Sequence, residues 1–376
     1  MKSRFFKEFF SEIDTIPPVL QNSYYPSLDG LRGVAIIMVV FYHLHLYWNV
    51  FYFAIFNGEL GVLIFFVLSG FLITTLCIKE KVVTKDISLR NFYIRRFLRI
   101  VPVAYLFLFV LIILKIIFKL DVPYVGILAA ALYLTDFSSY FRGRDFQTGH
   151  FWSLSVEEQF YLIIPFILKK NYKAYLIVIL SIIFLLPLLI ALQYQYRVLN
   201  NFVLIAFTHY FIKFQAIAVG CLFSVITFKY PFNINTTQKL ITNIIAVIAI
   251  LCMRYDNYFN VKDIFSSLLI SFLIGYIIVT NIVPGKDFIF KFLNTRILKL
   301  VGVLSYSIYI WQQIFTNYDA HLPVFMVKFP YNLICIIIVS CLSYYFYERY
   351  FLSLKSKFSR IKRSNQVPLP EVSNIN

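Results

Sequence analysis

Residues 28–45 read LDGLRGVAIIMVVFYHLH. The ten residues between Arg32 and His43 carry no charge. A helix crosses the roughly 30 Å hydrocarbon core of a bilayer with about 20 residues, so the apolar run at 31–50 makes one crossing. A guanidinium and an imidazole inside such a run are costly unless they face protein or water, and the first reading of them is functional. Arg32 and His43 are eleven residues apart. At 100° per residue that spacing returns to the same helix face, about 16 Å further along the axis.

The pattern extends outward over the whole chain. Of its 376 residues 60% are hydrophobic and 14% charged, with a mean hydropathy of +0.76. A soluble domain carries about 25% charged residues, so a water-soluble globule is excluded, and a disordered chain even more firmly. Apolar runs of crossing length fall at 31–50, 60–78, 98–119, 152–168, 174–192, 203–228, 238–254, 263–283, 300–317 and 327–348. The segment 124–138 is shorter and milder. With a cytoplasmic N-terminus and 124–138 left uncrossed, inner regions hold 26 of the 35 lysines and arginines, and outer regions six. That is the bias the positive-inside rule demands; a crossing at 124–138 would weaken it sharply. The expectation is an all-α polytopic membrane protein of about ten transmembrane helices in one bundle, with both termini cytoplasmic in a bacterial plasma membrane. Segment 124–138 is expected to be an outer re-entrant or surface helix.

Residues 1–23 read as a cytoplasmic N-terminal segment, 24–350 as the membrane domain, and 351–376 as a basic, disordered cytoplasmic tail. Met1 to Pro18 hold no continuous apolar core, so no cleavable signal peptide is expected. The formal charge of +17 is then mostly topology and attraction to anionic lipid, and no nucleic-acid partner is required. The five cysteines sit singly in apolar runs. Neither a disulfide nor a metal site is expected from their spacing.

Further polar groups interrupt the apolar runs. His43 is a buried titratable group suited to acid/base work, whereas His45 faces elsewhere. Ser69-Gly70, within FFVLSGF, reads as a small-residue patch for close helix approach rather than a nucleophile. Arg95, Arg96 and Arg99 cluster at an inner surface, at the depth of Arg32, and arginine suits bidentate phosphate binding. In GHFWSLSVEEQFY, His150, Trp152 and Glu157 lie at or just inside the outer surface. Glu157 and Tyr161 share a face at i,i+4. Glu158 points away from it and reads as a helix-start carboxylate. Trp152 is either an interfacial belt residue or a sugar-stacking platform. His209 with Lys213, Asn281, and the stripe Ser305, Tyr309 and Gln312 are read equally as function and as interhelical glue.

LDGLRG followed by His43, then FFVLSGF, RRFLR, FWSLSVEEQFY and SYSIYIWQQ, stand in the order seen in the acyltransferase family 3 membrane proteins. The chain resembles that family over roughly residues 24–350. The resemblance implies transfer of an acyl group, often acetyl, from cytoplasmic acyl-CoA to a sugar hydroxyl outside the membrane. Acceptors in the family include lipopolysaccharide, capsule, exopolysaccharide, peptidoglycan and lipid-linked intermediates. Residue by residue, its Arg-x10-His pair falls on Arg32 and His43, its Arg-x-x-Arg on Arg96 and Arg99, and its Trp-Ser-Leu-x-x-Glu on Trp152, Ser153, Leu154 and Glu157. The expected partners are the bilayer, acyl-CoA as co-substrate and a surface glycan, with no resident cofactor or metal. Arg32, Arg96 and Arg99 would hold the donor phosphates. His43 would be general base or acyl carrier, with Glu157 orienting the imidazole or the acceptor. His150, Trp152, Tyr161, Tyr309 and Gln312 would support or bind the acceptor.

The chain also departs from the family pattern. Gln312 stands where many relatives have a histidine, which removes a general base there. Lys213 replaces a frequent arginine, and Glu348-Arg349-Tyr350 replaces Glu-Arg-Pro. Some members of the family carry an extracellular hydrolase-like domain; none is expected here, and a second catalytic step is then expected to need a separate protein. The alternative class is a transporter or flippase for a lipid-linked sugar. It predicts inverted repeats and broken midplane helices; no repeat is visible, and Pro187 is the clearest mid-span proline.

Overall fold

The computed structural model describes residues 7–48, 56–140, 146–196, 202–230, 235–252, 261–317 and 322–360. Every regular element among them is helical. Leaving aside single-turn helices, these are in chain order α1 (Pro26–Trp48), α2 (Gly58–Thr84), α3 (Leu89–Phe118), α4 (Tyr124–Ala131), α5 (Phe151–Lys170) and α6 (Tyr172–Gln195). Then follow α7 (Phe202–Phe211), α8 (Gln215–Lys229), α9 (Thr236–Cys252), α10 (Val261–Ile282), α11 (Phe288–Leu293), α12 (Arg296–Thr316) and α13 (Tyr331–Ser343). A π-helical turn at Tyr344–Glu348 carries α13 on into the helix Arg349–Lys355. The first residues of the expected disordered tail are thus helical, and the rest, 361–376, lie outside the described residues.

All ten apolar runs are helical over most of their described residues, but eight helices among the described residues are long and apolar enough to cross a membrane. The run at 238–254 falls short because its apolar helix, Thr236–Leu251, is too short. Helix α12 is long enough at 21 residues, but its polar stripe of serines, tyrosines and glutamines lowers its hydropathy. The segment at 124–138 does not cross. Helix α4 has eight residues, about 12 Å of helix, and is followed by a 3₁₀ turn at Thr135–Tyr140. Gln159 Nε2 pins this hook by donating to Tyr133 O at 2.9 Å and Asp136 Oδ1 at 3.0 Å. Lys213 Nζ stands 3.6 Å from Asp136 Oδ2. Burial raises the Asp136 carboxyl above its usual range, and the lysine opposes that shift.

Missing side chains set the closest helix contacts. A Cβ at Gly70 of α2 would fall on the Ile217 carbonyl of α8, and one at Gly220 of α8 on the Val67 carbonyl of α2. The two backbones touch reciprocally, as small residues permit in membranes. Gly302 of α12 meets the Asp29 carbonyl of α1 in the same way, and Gly30 of α1 meets the Leu293 carbonyl of α11. Within α6, Pro187 lacks the N–H that would bond the Ile183 carbonyl. The helix widens into a π turn at Ser181–Leu185, and Gln215 Nε2 of α8 approaches that carbonyl at 3.5 Å.

One end of the bundle gathers both described ends of the chain. Lys229 Nζ donates to the Glu8 and Ser11 carbonyls at 2.6 and 2.8 Å, and Lys81 pairs with Glu12 at 3.0 Å. Glu80 pairs with Arg95 at 3.0 Å and with Arg360 at 3.9 Å. Lys169–Asp86 and Lys239–Asp287 close the same end at 2.9 and 3.0 Å. This basic end carries the arginines of the candidate site.

Candidate active site

Arg32 lies in the second turn of α1, where its Nη1 pairs with Asp29 Oδ1 at 2.8 Å. Arg96 and Arg99 lie on α3, three residues apart and so on neighbouring faces. Arg96 stacks over the Tyr161 ring of α5 at 4.7 Å and the Phe92 ring at 5.8 Å. The guanidiniums of Arg32 and Arg96 and the carboxylate of Glu348 all lie within electrostatic reach of Arg99. Among the described residues no carboxylate forms an ion pair with Arg96 or Arg99. Arg95 is diverted from the cluster: Nη2 pairs with Glu80 at 3.0 Å and Nη1 donates to Phe358 O at 2.6 Å. Guanidiniums gathered around Arg99, two of them with no paired carboxylate, suit a phosphorylated ligand.

Glu157 is enclosed by the bundle through bonds to two helices. Its Oε2 accepts from Ser69 Oγ of α2 at 3.0 Å and from Tyr161 OH at 2.8 Å. The carboxylate also lies within the field of Arg96 and Arg99. Glu158, one residue on, also lies within the field of Arg96 and Arg99, with Tyr133 and Tyr306 in reach on its other side.

His43 lies toward the opposite end. Its Nδ1 is 2.8 Å from Val39 O, one helical turn back. A carbonyl only accepts, so Nδ1 carries the hydrogen, and in the neutral ring Nε2 keeps its lone pair for a proton. The ring packs edge-on to Tyr42 at 5.6 Å and Phe146 at 6.1 Å. His150 begins α5 and is buried among the rings of Phe107, Phe151 and Tyr309, at 5.3, 4.8 and 5.6 Å. His43 lies within electrostatic reach of it. Tyr309 OH donates to His150 O at 2.9 Å and lies 2.7 Å from Ser153 Oγ. Gln313 Nε2 donates to Phe146 O at 2.8 Å, and its neighbour Gln312 is fully buried. Trp152 packs against Phe66 at 6.0 Å.

The predicted residues thus form a polar column through an apolar bundle. Arg32, Arg96 and Arg99 stand toward the basic end. Glu157, Tyr161 and Ser69 come next, then Tyr309, Ser153 and His150, with His43 beyond. No hydrogen bond joins Glu157 to His43, which contacts Val39, Tyr42 and Phe146. Lys213 belongs instead to the tie that holds the α4 hook. His45 has no described side chain. Sequence reading passed over Gln313, named Ser153 only within the family string, assigned Ser69 to packing, and noted Glu348 only as a departure. Glu348 Oε2 accepts from Ser307 Oγ at 2.6 Å beside Arg99. A carboxylate so close to the end of an apolar run was the available signal. Among the described residues no three His, Cys, Asp or Glu side chains gather as metal ligands would, and Cys77, Cys221, Cys335 and Cys341 are free thiols.

Residues 25–348 match the sequence family described as "Acyltransferase domain". Curated relatives include the peptidoglycan O-acetyltransferase OatA of Listeria monocytogenes, 29% identical over 318 residues, covering 77% of this chain and 49% of the relative. The O-acetyltransferase OatA of Staphylococcus aureus is 30% identical over 309 residues, covering 77% and 50%. The chain spans about half the length of these relatives. No solved structure matches it.

Proposed function

The chain belongs to the acyltransferase domain family, and from that premise we propose that it moves an acyl group, acetyl first among them, from cytoplasmic acyl-CoA to a sugar hydroxyl on the far side of the plasma membrane. The polar column carries this reading. Its arginine end suits the phosphates of the donor, and its far end presents an imidazole with an open nitrogen. Arg32 and His43 lie about 16 Å apart along α1, a separation that the extended pantetheine arm of the donor is built to bridge.

In this reading Arg32, Arg96 and Arg99 hold the donor phosphates, and the thioester reaches the level of His43. Nε2 of His43 takes the proton of the acceptor hydroxyl as its oxygen attacks the thioester carbonyl. The carbon–sulfur bond breaks, and the CoA thiolate leaves with the proton that His43 returns. A transient acyl-imidazole would use the same nitrogen. Glu157 orders the column between donor and acceptor. His150, Trp152, Tyr309 and Gln312 lie at the acceptor end. The basic end faces the cytoplasm. The Listeria relative is named for peptidoglycan, which makes that glycan the first acceptor to test.

The test is mass spectrometry of surface glycans from cells with the gene, without it, and with His43→Ala. The acetyl increment is expected only with the unaltered gene. Glycans whose acylation never changes, but which are lost or shortened without the gene, would replace this reading with transport of a lipid-linked sugar.

A further inference from the structure

Ser69 lies 88 residues from Glu157 in the chain, and its hydroxyl has a use that helix packing does not require. It donates to Glu157 Oε2 at 3.0 Å, and Tyr161 OH donates to the same oxygen at 2.8 Å. Oε1 accepts no hydrogen bond among the described residues. A carboxylate that takes two donors on one oxygen is fixed in rotation, and its other oxygen remains free to accept. The backbone carrying Ser69 is itself fixed, because Gly70 bears directly on the Ile217 carbonyl and Val67 on Gly220. The contact between α2 and α8 thus sets where the hydroxyl stands, and the hydroxyl sets where the carboxylate points.

We propose that Ser69 is a positioning residue for Glu157: with Tyr161 it locks one carboxylate oxygen and presents the other to the path between the arginine cluster and His43. The proposal rests on the acyltransferase reading above. It gives the small-residue patch a second role, since Gly70 supplies the close approach and Ser69 the aim. Ser69 acts through Glu157 and carries no acyl group.

The experiment measures acetyl transfer from acetyl-CoA to glycan with the full-length protein in membranes, normalised to protein present. Ser69→Ala is expected to lower the maximal rate about tenfold, the scale of one hydrogen bond to a charged group, with the KM for acetyl-CoA within about twofold. Ser69→Thr, which keeps the hydroxyl, is expected to recover most of the rate. In a Glu157→Gln background the added Ser69→Ala change is expected to alter the residual rate less than about twofold. A serine that only packs helices gives a different result: equal losses for Ala and Thr, or losses that multiply with Glu157→Gln. Either result overturns the proposal, as does an acyl adduct on Ser69. Absence of transfer by the unaltered protein overturns the acyltransferase reading itself, and the proposal with it.

Discussion

At the scale of single residues, two side chains eleven positions apart on α1 mark the ends of the column. Their shared face followed from helix geometry, and the structure adds the state of the imidazole, with Nδ1 committed to Val39 O. His43→Ala is predicted to abolish acetyl transfer while the protein remains at normal level in the membrane, read by glycan mass spectrometry beside an immunoblot; transfer at the normal rate would contradict it. Arg99→Gln is predicted to raise the KM for acetyl-CoA about tenfold or more, the scale of a lost charge-assisted contact, with the maximal rate less affected. Initial rates over a donor series check this, and an unchanged KM would make the arginines membrane anchors only. The partners of Glu157 were not legible in the sequence. Tyr161 stands one turn away on the same helix, but Ser69 lies on another helix, and its register against α5 depends on tertiary packing. The absence of any bond between Glu157 and His43 was hidden for the same reason.

At the scale of elements, hydropathy located all ten helical runs, because a bilayer fixes their length and the backbone must bond internally. It did not rank them. Helix α12 is polar because it carries Tyr309 of the column, bonded to Ser153 and His150 across the gap to α5, and its serines and glutamines lower its hydropathy further. The charge count excluded a crossing at 124–138, and the eight-residue α4 explains why. Glycines fix the α2–α8 contact, so Gly220→Ala is predicted to destabilise the bundle by about 1–3 kcal/mol, the usual cost of overpacking. Gly149→Ala is the control, since a Cβ there meets nothing within 4 Å. Thermal unfolding in detergent separates the two, and equal midpoints would contradict the reading of α2 against α8.

At the scale of the molecule, the described N-terminal and C-terminal residues meet at one basic end, through Lys229 and Lys81 on one side and Glu80 with Arg360 on the other. The parity of crossings read from charge agrees with that geometry, because the same lysines and arginines produce both. Which face of the bilayer this end occupies is a prediction. In intact cells Lys173→Cys is expected to be shielded from an impermeant thiol reagent, and Lys328→Cys to be labelled. The reverse pattern would invert the molecule. The most direct test of the whole account uses the protein reconstituted in sealed vesicles, with glycan acceptor trapped inside and labelled acetyl-CoA supplied only outside. Molecules with their arginine end outward are predicted to deliver label to the trapped glycan, and His43→Ala to deliver none. Label that appears only on acceptor placed on the donor side would contradict transfer along the column.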